Sequence, residues 1–171
     1  DLFVEDAAYS TIEQFMKAKK NKTVYIGLTA GTIHHGHIKL IEVARSYGDI
    51  IIGLITDNAI AEYKRIPLLS FEQRKKILIN FKGVKKVVIQ KQWDYSQNIK
   101  KLKPNYMIHG DDWKKGHMSL IRKKSINALK SYGGKLIELP YTKGISSAAL
   151  IDHHNSITIT PDIRRATLRK L

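Results

Sequence analysis

The sequence predicts an α/β domain built on a doubly wound, five-stranded parallel sheet with a Rossmann-like architecture. Two observations predict it. From Thr23 onward, strand-length runs alternate with helix-like segments, and the runs are apolar at nearly every position. Strands of this kind belong to sheets that helices cover on both faces. Ligands of such sheets bind beyond the carboxyl ends of the strands, so the residues after each strand are the functional candidates.

The elements can be placed in order along the chain. The predicted strands are Val24–Leu28, Ile50–Ile55, Val84–Ile89, Tyr106–His109 and Lys135–Leu139. The predicted helices are Gly36–Tyr47, a segment from the Ser70–Gln73 capping box to about Phe81, about Ser119–Ser131, and a short helix after Ser147.

Three regions are expected along the chain. Residues 1–22 form an N-terminal helical extension, because Ile12, Phe15 and Met16 are spaced for one apolar stripe. Residues 23–156 form the main domain, and residues 157–171 form a basic C-terminal helix or linker.

Composition excludes several classes of protein. The chain has 171 residues, of which 43% are hydrophobic, which suits one compact domain. It has no cysteine, so disulfides, thiolate metal sites and cysteine nucleophiles are excluded. No apolar run approaches the roughly 18 residues of a membrane helix, and the N-terminus has no secretory signal pattern. We therefore expect a cytoplasmic protein without a membrane partner.

The chain is strongly basic, with a formal net charge of +15. Such a charge suits nucleic acid or small polyphosphates as partners, although many of the lysines fall on predicted solvent faces. No aromatic RNA-binding strand and no helix-turn-helix pattern is present. Nucleic acid is therefore not the expected partner.

The segment after the first strand combines glycines, threonines and histidines: Gly27, Leu28, Thr29, Ala30, Gly31, Thr32, Ile33, His34, His35, Gly36 and His37. It is neither a dinucleotide fingerprint nor a P-loop. Backbone N–H groups at a helix N-terminus bind anions, and His34 and His37 share one face of that first turn. A metal site or a chance cluster are the alternatives. Because no carboxylate or cysteine lies nearby to complete a metal site, phosphate binding is favoured.

Charged residues follow the second and fourth strands. Thr56, Asp57, Lys64, Arg65 and Arg74 follow the second, where they are either ligand contacts or exposed charges. The fourth strand leads into Gly110, Asp111, Asp112 and Trp113, which suit a ribose or a base, or an Asp-capped turn.

A second phosphate-binding helix start follows the fifth strand, in the run Tyr141, Thr142, Lys143, Gly144, Ile145, Ser146 and Ser147. A simple N-cap needs one serine, so the doubled serine favours ligand binding over capping alone. Because parallel strands end at one edge, the two helix starts could converge there. That arrangement predicts a ligand with several phosphates.

Residues 24–150 resemble the HxGH-type nucleotidyltransferases, among them cytidylyltransferases similar to glycerol-3-phosphate cytidylyltransferase. The matching residues are Gly27 and Thr29, His34 to His37, Thr56 and Asp57, Arg74, Trp93, Gly110 to Trp113, and Gly144 to Ser147. The runs 59–65, 109–114, 140–147 and 160–164 look like cytidylyltransferase domains fused ahead of phosphoenolpyruvate mutase in phosphonate pathways, such as that of fosfomycin.

The resemblance implies that CTP and a phosphonate, with 2-hydroxyethylphosphonate as the first choice, give a CMP-phosphonate and pyrophosphate. It implies Mg²⁺ carried by CTP rather than by a protein metal site. His34 and His37 would stabilise the transition state, Lys64 or Arg65 would serve the α-phosphate and the acceptor, and Ser146 and Ser147 would bind the β- and γ-phosphates. The other implied nucleotide contacts are Gly27, Leu28, Thr29, Gly36, Arg74, Gly110, Asp111, Asp112, Trp113, Tyr141, Thr142, Gly144 and Ile145. A homodimer and a downstream mutase domain are the further partners that it suggests.

Three departures from the family pattern bear on the acceptor. Ala30 and Gly31 replace the usual Phe-Asp, Tyr141 replaces an arginine, and Ala148 replaces a threonine. These changes argue against glycerol 3-phosphate. The alternative functions are a cytidylyltransferase of the glycerol-3-phosphate type and an adenylyltransferase acting on another phosphate acceptor.

Overall fold

The structure is a computed structural model that describes residues 22–156, apart from the side chains of Ser147 and Asn155. Its centre is a five-stranded sheet in the order β3-β2-β1-β4-β5, and every neighbouring pair is parallel. The strands are β1 (Thr23–Leu28), β2 (Asp49–Ile55), β3 (Val84–Gln90), β4 (Tyr106–Gly110) and β5 (Lys135–Leu139). The predicted parallel sheet is confirmed.

Six α-helices and one 3-10 helix connect the strands in the described residues. They are α1 (His35–Tyr47), α2 (Asp57–Ala61), α3 (Phe71–Leu78), α4 (Ser96–Leu102), the 3-10 helix Asp111–Lys114, α5 (Met118–Lys130) and α6 (Ser147–Ser156).

The sequence patterns did not predict α2, α4 or the 3-10 helix. Each is at most two turns long, so no apolar period develops. Helix α2 instead depends on its cap, because the Thr56 hydroxyl accepts a hydrogen bond from the Ala59 N–H at 3.3 Å. Helix α4 buries a single side chain, Ile99.

Helices cover both faces of the sheet, as the continuously apolar strands predict. Alternate side chains of β1 point to opposite faces, with Tyr25 in one apolar layer and Val24, Ile26 and Leu28 in the other. Helices α1 and α3 complete the layer around Ile26, and helices α4 and α5 complete the layer around Tyr25. This is the doubly wound arrangement.

The strand order places a topological switch point between β1 and β4. The chain runs outward from β1 to β2 and β3, then returns to β4 on the other side of β1. Loops at such a point diverge and leave a crevice at the carboxyl ends of the strands. Gly27 lies at this edge, and a Cβ atom there would overlap the Tyr95 ring.

The expected extension over residues 1–22, apart from Lys22, and the expected basic segment over residues 157–171 lie outside the described residues. None of the helices within residues 22–156 is long and apolar enough to cross a membrane.

Candidate active site

A cavity of about 1340 Å³ opens at the carboxyl edge of the sheet. It exceeds the roughly 300–1,000 Å³ of typical ligand sites, so it has room for a nucleotide together with a second substrate. Its walls include residues from the loops after all five strands. The sequence-predicted residues that line it are Gly27, Leu28, Thr29, His34, Gly36, His37, Lys64, Arg65, Gly110, Asp112, Trp113, Tyr141, Thr142, Ile145 and Ser146.

His34 and His37 cap the start of helix α1 reciprocally. The Gly36 N–H donates to Nδ1 of His34, and the His34 N–H donates to Nδ1 of His37, both at 3.2 Å. The two rings are 4.0 Å apart, centroid to centroid. A ring nitrogen that accepts carries no proton, so each neutral imidazole carries its proton on Nε2. Capping therefore leaves both rings with an Nε2–H that can donate.

Both imidazoles are neutral at pH 7. Burial, together with the nearby His34 ring, lowers the pKa of His37 to about 4. Burial and the neighbouring His35 also lower the pKa of His34. The pair therefore offers two neutral N–H donors rather than two positive charges.

The two predicted phosphate-binding segments converge. Thr142, in the loop after β5, has its Oγ1 3.5 Å from the position that a Cβ atom on Gly36 would occupy. Ser146 lines the same cavity, and its hydroxyl oxygen accepts the Ala149 N–H at 3.0 Å, which caps helix α6. Gly144 does not line the cavity, and the side chain of Ser147 lies outside the described part of the chain.

The structure separates the adjacent cations Lys64 and Arg65. Lys64 holds its ammonium 5.2 Å from the centre of the Trp93 ring, and its charge lowers the pKa of both His37 and His109. Arg65 instead forms an exposed ion pair with Asp152 of helix α6 at 2.7 Å. Of these two neighbours, Lys64 is therefore the one whose charge acts on the imidazoles.

Arg74 does not line the cavity, although the sequence analysis places it among the nucleotide contacts. It is 1% exposed. Its Nη1 donates to the carbonyl oxygens of Thr29 and Ile55, and its Nη2 pairs with the Asp57 carboxylate. Arg74 thus joins the loop after β1 to the end of β2. Both terminal nitrogens of its guanidinium are engaged in these contacts, and its Nε is buried without a partner, so Arg74 supports the loop from beneath rather than facing the cavity.

Two of the residues after β4 also serve as structural supports. The Trp113 indole is buried, and its Nε1–H donates to Glu138 at 2.8 Å. Arg122 binds the same carboxylate through two nitrogens, and with Trp113 it lowers the pKa of Glu138 to about 2. Asp111 does not line the cavity, but its Oδ1 accepts the Tyr141 N–H at 3.0 Å. It thereby ties the loop after β4 to the loop after β5.

His109 lines the cavity, and the sequence analysis did not assign it to the site. Its ring stacks on Trp113, with 3.7 Å between centroids and 6° between planes. Its Nδ1 lies 2.8 Å from the Gly110 carbonyl oxygen. The signal that could have found it is its place at the carboxyl end of a strand that flanks the switch point. Trp93 and Tyr95 complete an aromatic wall beside it.

Within residues 22–156 no group of three or more histidines, aspartates or glutamates is arranged to hold a metal ion. The predicted metal alternative for the histidine cluster finds no set of ligands there. His34 and His37 could each offer a metal ion only one ring nitrogen, Nε2, because Nδ1 of each ring accepts a backbone N–H.

Comparisons with known proteins show that this chain is similar to cytidylyltransferases. A family model described as cytidylyltransferase-like matches residues 24–153. The chain is 34% identical over 128 residues to the glycerol-3-phosphate cytidylyltransferase of Bacillus spizizenii, which covers 72% of this chain and 92% of that protein. It is 29% identical over 139 residues to the bifunctional protein HldE of Geobacter metallireducens, covering 80% of this chain and 27% of HldE.

The fold has a solved counterpart in the lipopolysaccharide core biosynthesis protein of Thermoplasma volcanium. The TM-score is 0.60, the sequence identity is 18%, and the match covers 71% of this chain and 98% of that one.

Proposed function

This chain belongs to the cytidylyltransferase-like family, and from that premise we propose that it transfers CMP from CTP to a small acceptor bearing a phosphoryl group, releasing pyrophosphate. The proposal rests on one observation: Gly36 lies close to Thr142, beside the paired imidazoles of His34 and His37. This proximity brings together, in one cavity of a size that suits both substrates, two helix starts of the kind that can bind anions.

The first candidate acceptor is a polyol phosphate of the glycerol 3-phosphate type. Relatives from two Bacillus species, 34% and 30% identical to this chain, are named glycerol-3-phosphate cytidylyltransferases. The cavity also carries the cation that such an acceptor needs, since Lys64 lines it and its charge acts on the imidazoles.

The second candidate acceptor is a phosphonate such as 2-hydroxyethylphosphonate. The departures from the family pattern favour it. Tyr141 lines the cavity with a neutral phenol where the resemblance implies an arginine, and Gly31 lines it where the resemblance implies a carboxylate. These two changes alter the charge around the acceptor but leave the imidazole pair in place.

The proposed reaction balances as an in-line displacement at phosphorus. An anionic oxygen of the acceptor attacks the α-phosphorus of CTP. The bond from that phosphorus to the oxygen bridging the α- and β-phosphates breaks, and pyrophosphate leaves with the electron pair. A phosphate monoester with a second pKa of about 6 is mostly a dianion near neutral pH, and a phosphonate has at least one ionised oxygen there, so neither acceptor needs a general base. The barrier lies in bringing two anions together and stabilising the charge on the α-phosphate.

The residues of the cavity suit that task. The Nε2–H groups of His34 and His37 donate to phosphate oxygens, and their orientation is fixed in advance by the caps. Lys64 adds a positive charge that acts on both His37 and His109, and the loop with Thr142 and Ser146 receives the β- and γ-phosphates. Mg²⁺ carried by CTP would reduce the negative charge of the triphosphate.

The test is a ³¹P NMR assay of the purified protein. Each of CTP, UTP, ATP and GTP is incubated with Mg²⁺ and with either glycerol 3-phosphate or 2-hydroxyethylphosphonate. We expect a new diphosphate-type signal and pyrophosphate with CTP, and no such product from the His34→Ala/His37→Ala double variant. Transfer with ATP in preference to CTP would assign the chain to adenylyl transfer. Absence of transfer with every pair would refute the proposal.

A further inference from the structure

Four histidines line the cavity, and hydrogen bonds to the backbone set three of their rings in opposite tautomers. His34 and His37 accept N–H groups at Nδ1, so each carries its proton on Nε2. His109 has Nδ1 at 2.8 Å from the Gly110 carbonyl oxygen. A carbonyl oxygen only accepts, so Nδ1 of His109 must carry the proton. Its Nε2 is then a hydrogen-bond acceptor in a cavity where the rings of His34 and His37 donate.

The Nε2 atom of His109 is open to the cavity. Nδ1 makes the ring's contacts with Gly110 and Asp112, and Nε2 has no hydrogen-bond partner within residues 22–156. Among the described residues, the side-chain nitrogen or oxygen that is buried without a partner is Nε of Arg74. Nε2 of His109 also lacks a partner but is not buried in this sense, so a ligand can reach it. Burial lowers the pKa of His109, which keeps the ring neutral and Nε2 unprotonated.

The ring is held in one orientation. One face stacks on Trp113, and Tyr95 lies at 6.0 Å, centroid to centroid. Trp113 is itself fixed by its hydrogen bond to Glu138. A ring flip would place Cδ2 against the Gly110 carbonyl and lose the Nδ1 hydrogen bond, so the acceptor nitrogen keeps its direction.

His109 lines the same cavity as His37 and Lys64, and the charge of Lys64 acts on both imidazoles. Strand β4, which carries His109 near its carboxyl end, pairs directly with β1, whose following loop carries the imidazole pair.

On the basis of the proposed function, we infer that His109 is a specificity-determining residue for the acceptor and that its Nε2 accepts a hydrogen bond from a carbon-bound hydroxyl group of that acceptor. Lys64 and the imidazole pair bind the anionic end of the molecule. His109 then recognises the hydroxyl that both candidate acceptors carry. A site built to pair with a substrate hydroxyl rejects the analogue that lacks it, because its own polar group is left unpaired.

The tautomer is tested first, on the wild-type protein without substrate. Long-range ¹H–¹⁵N correlation spectra of ¹⁵N-histidine-labelled protein report which ring nitrogen carries the proton. We expect Nε2–H at His34 and His37 and Nδ1–H at His109. An Nε2–H signal at His109 overturns the inference, whatever the activity of the protein.

The second test compares matched acceptors in steady-state assays above pH 8, where the phosphoryl group is fully ionised. Wild-type protein should use 2-hydroxyethylphosphonate with a KM roughly tenfold below that for ethylphosphonate, corresponding to one hydrogen bond. The same comparison applies to glycerol 3-phosphate and propyl phosphate. His109→Phe, which keeps a ring on Trp113, should lose this discrimination while its KM for CTP stays unchanged. His154→Phe, at an exposed imidazole outside the cavity, is the matched control.

A wild-type protein that does not distinguish the hydroxyl from its analogue overturns the inference. So does a His109→Phe variant that discriminates as before, or one whose KM rises for CTP instead, which would place His109 at the nucleotide. If His109→Phe fails to fold, His109→Asn provides the same comparison, because its amide can still donate to Gly110. If the wild-type protein transfers CMP to no acceptor, the proposed function fails. The hydroxyl contact is then decided by whether the ¹⁵N shift of His109 Nε2 responds to 2-hydroxyethylphosphonate and not to ethylphosphonate.

Discussion

The Thr142 hydroxyl oxygen lies 3.5 Å from where a Cβ atom on Gly36 would be, so the loop after the last strand closes directly over the first turn of helix α1. The same Cβ would lie 2.9 Å from Cε1 and 3.0 Å from Nδ1 of His34. Glycine is thus required at this position by its neighbours and not by its backbone angles.

Gly36→Ala should displace the His34 ring and separate the two loops. We expect kcat/KM for CTP to fall at least tenfold while the thermal midpoint changes by only a few degrees. Gly31→Ala is the control in the same loop, because its nearest contact, Pro67, is 3.8 Å away. Equal losses of kcat/KM in both variants would contradict this account of Gly36.

His37→Ala removes one preorganised donor from the proposed transition state. By comparison with the loss of one oxyanion-hole donor, kcat should fall about 10²–10³-fold. The lost cap costs about 1 kcal/mol, so circular dichroism should show a folded protein. Wild-type turnover in this variant would remove His37 from the mechanism.

The pH dependence of stability follows from the pKa of about 4 that burial and His34 give to His37. In the unfolded chain this histidine titrates near 6.5. As the pH falls from about 6.5 toward 4, His37 binds a proton in the unfolded chain but stays neutral in the folded protein. The free energy of unfolding therefore decreases. His37→Gln, which can still cap at this position, should show a shallower decrease between pH 7 and pH 4.5 in urea titrations. Parallel curves for the two proteins would show that His37 titrates normally in the folded state.

Arg74→Met should destabilise the protein by about 3 kcal/mol, because it leaves two carbonyl oxygens and a carboxylate without their buried partner. Arg65→Met should change the free energy of unfolding by less than about 1 kcal/mol, because both members of its ion pair are exposed. Urea denaturation measures both. Similar values for the two arginines would mean that the buried contacts of Arg74 contribute little.

Lys64→Gln should lower kcat/KM for the acceptor about 100-fold, because it removes the cation whose charge acts on the imidazoles. Arg65→Gln breaks only a contact with Asp152 and should stay within a few-fold of wild type. Initial rates at saturating CTP distinguish the two. A larger loss of kcat/KM in Arg65→Gln than in Lys64→Gln would assign the acceptor contact to Arg65 instead of Lys64.

The sequence predicted the sheet and the edge at which the cavity opens, since both follow from local patterns. Continuously apolar strands require cover on both faces, and parallel strands bring their following loops to one edge. That rule is enough to place His34 and Thr142 in the same cavity, although they lie far apart along the chain.

Residue roles that depend on contacts between distant segments were not predictable in the same way. Arg74 sits in a short helix rich in charged residues, where an exposed side chain is the ordinary outcome. Its burial depends on carbonyl oxygens of Thr29 and Ile55, which no local pattern reveals. Lys64 and Arg65 are neighbours in an irregular segment, so only the backbone path decides which one faces inward. A lone His109 at the end of an apolar strand looks like a core residue, and its tautomer depends on one backbone carbonyl.

One wall of the cavity is formed by the loop that follows β5, a strand at the end of the sheet. Within residues 22–156, β5 pairs only with β4, and the loop that follows it carries Thr142 and Ser146. Because this loop follows the last strand described, nearly the whole domain must be synthesised before the cavity can bind a nucleotide. Edge strands open locally more readily than central ones, and opening β5 would move the loop that carries Thr142 and Ser146. We therefore expect a bound triphosphate to slow hydrogen exchange at β5 more than at the central β1.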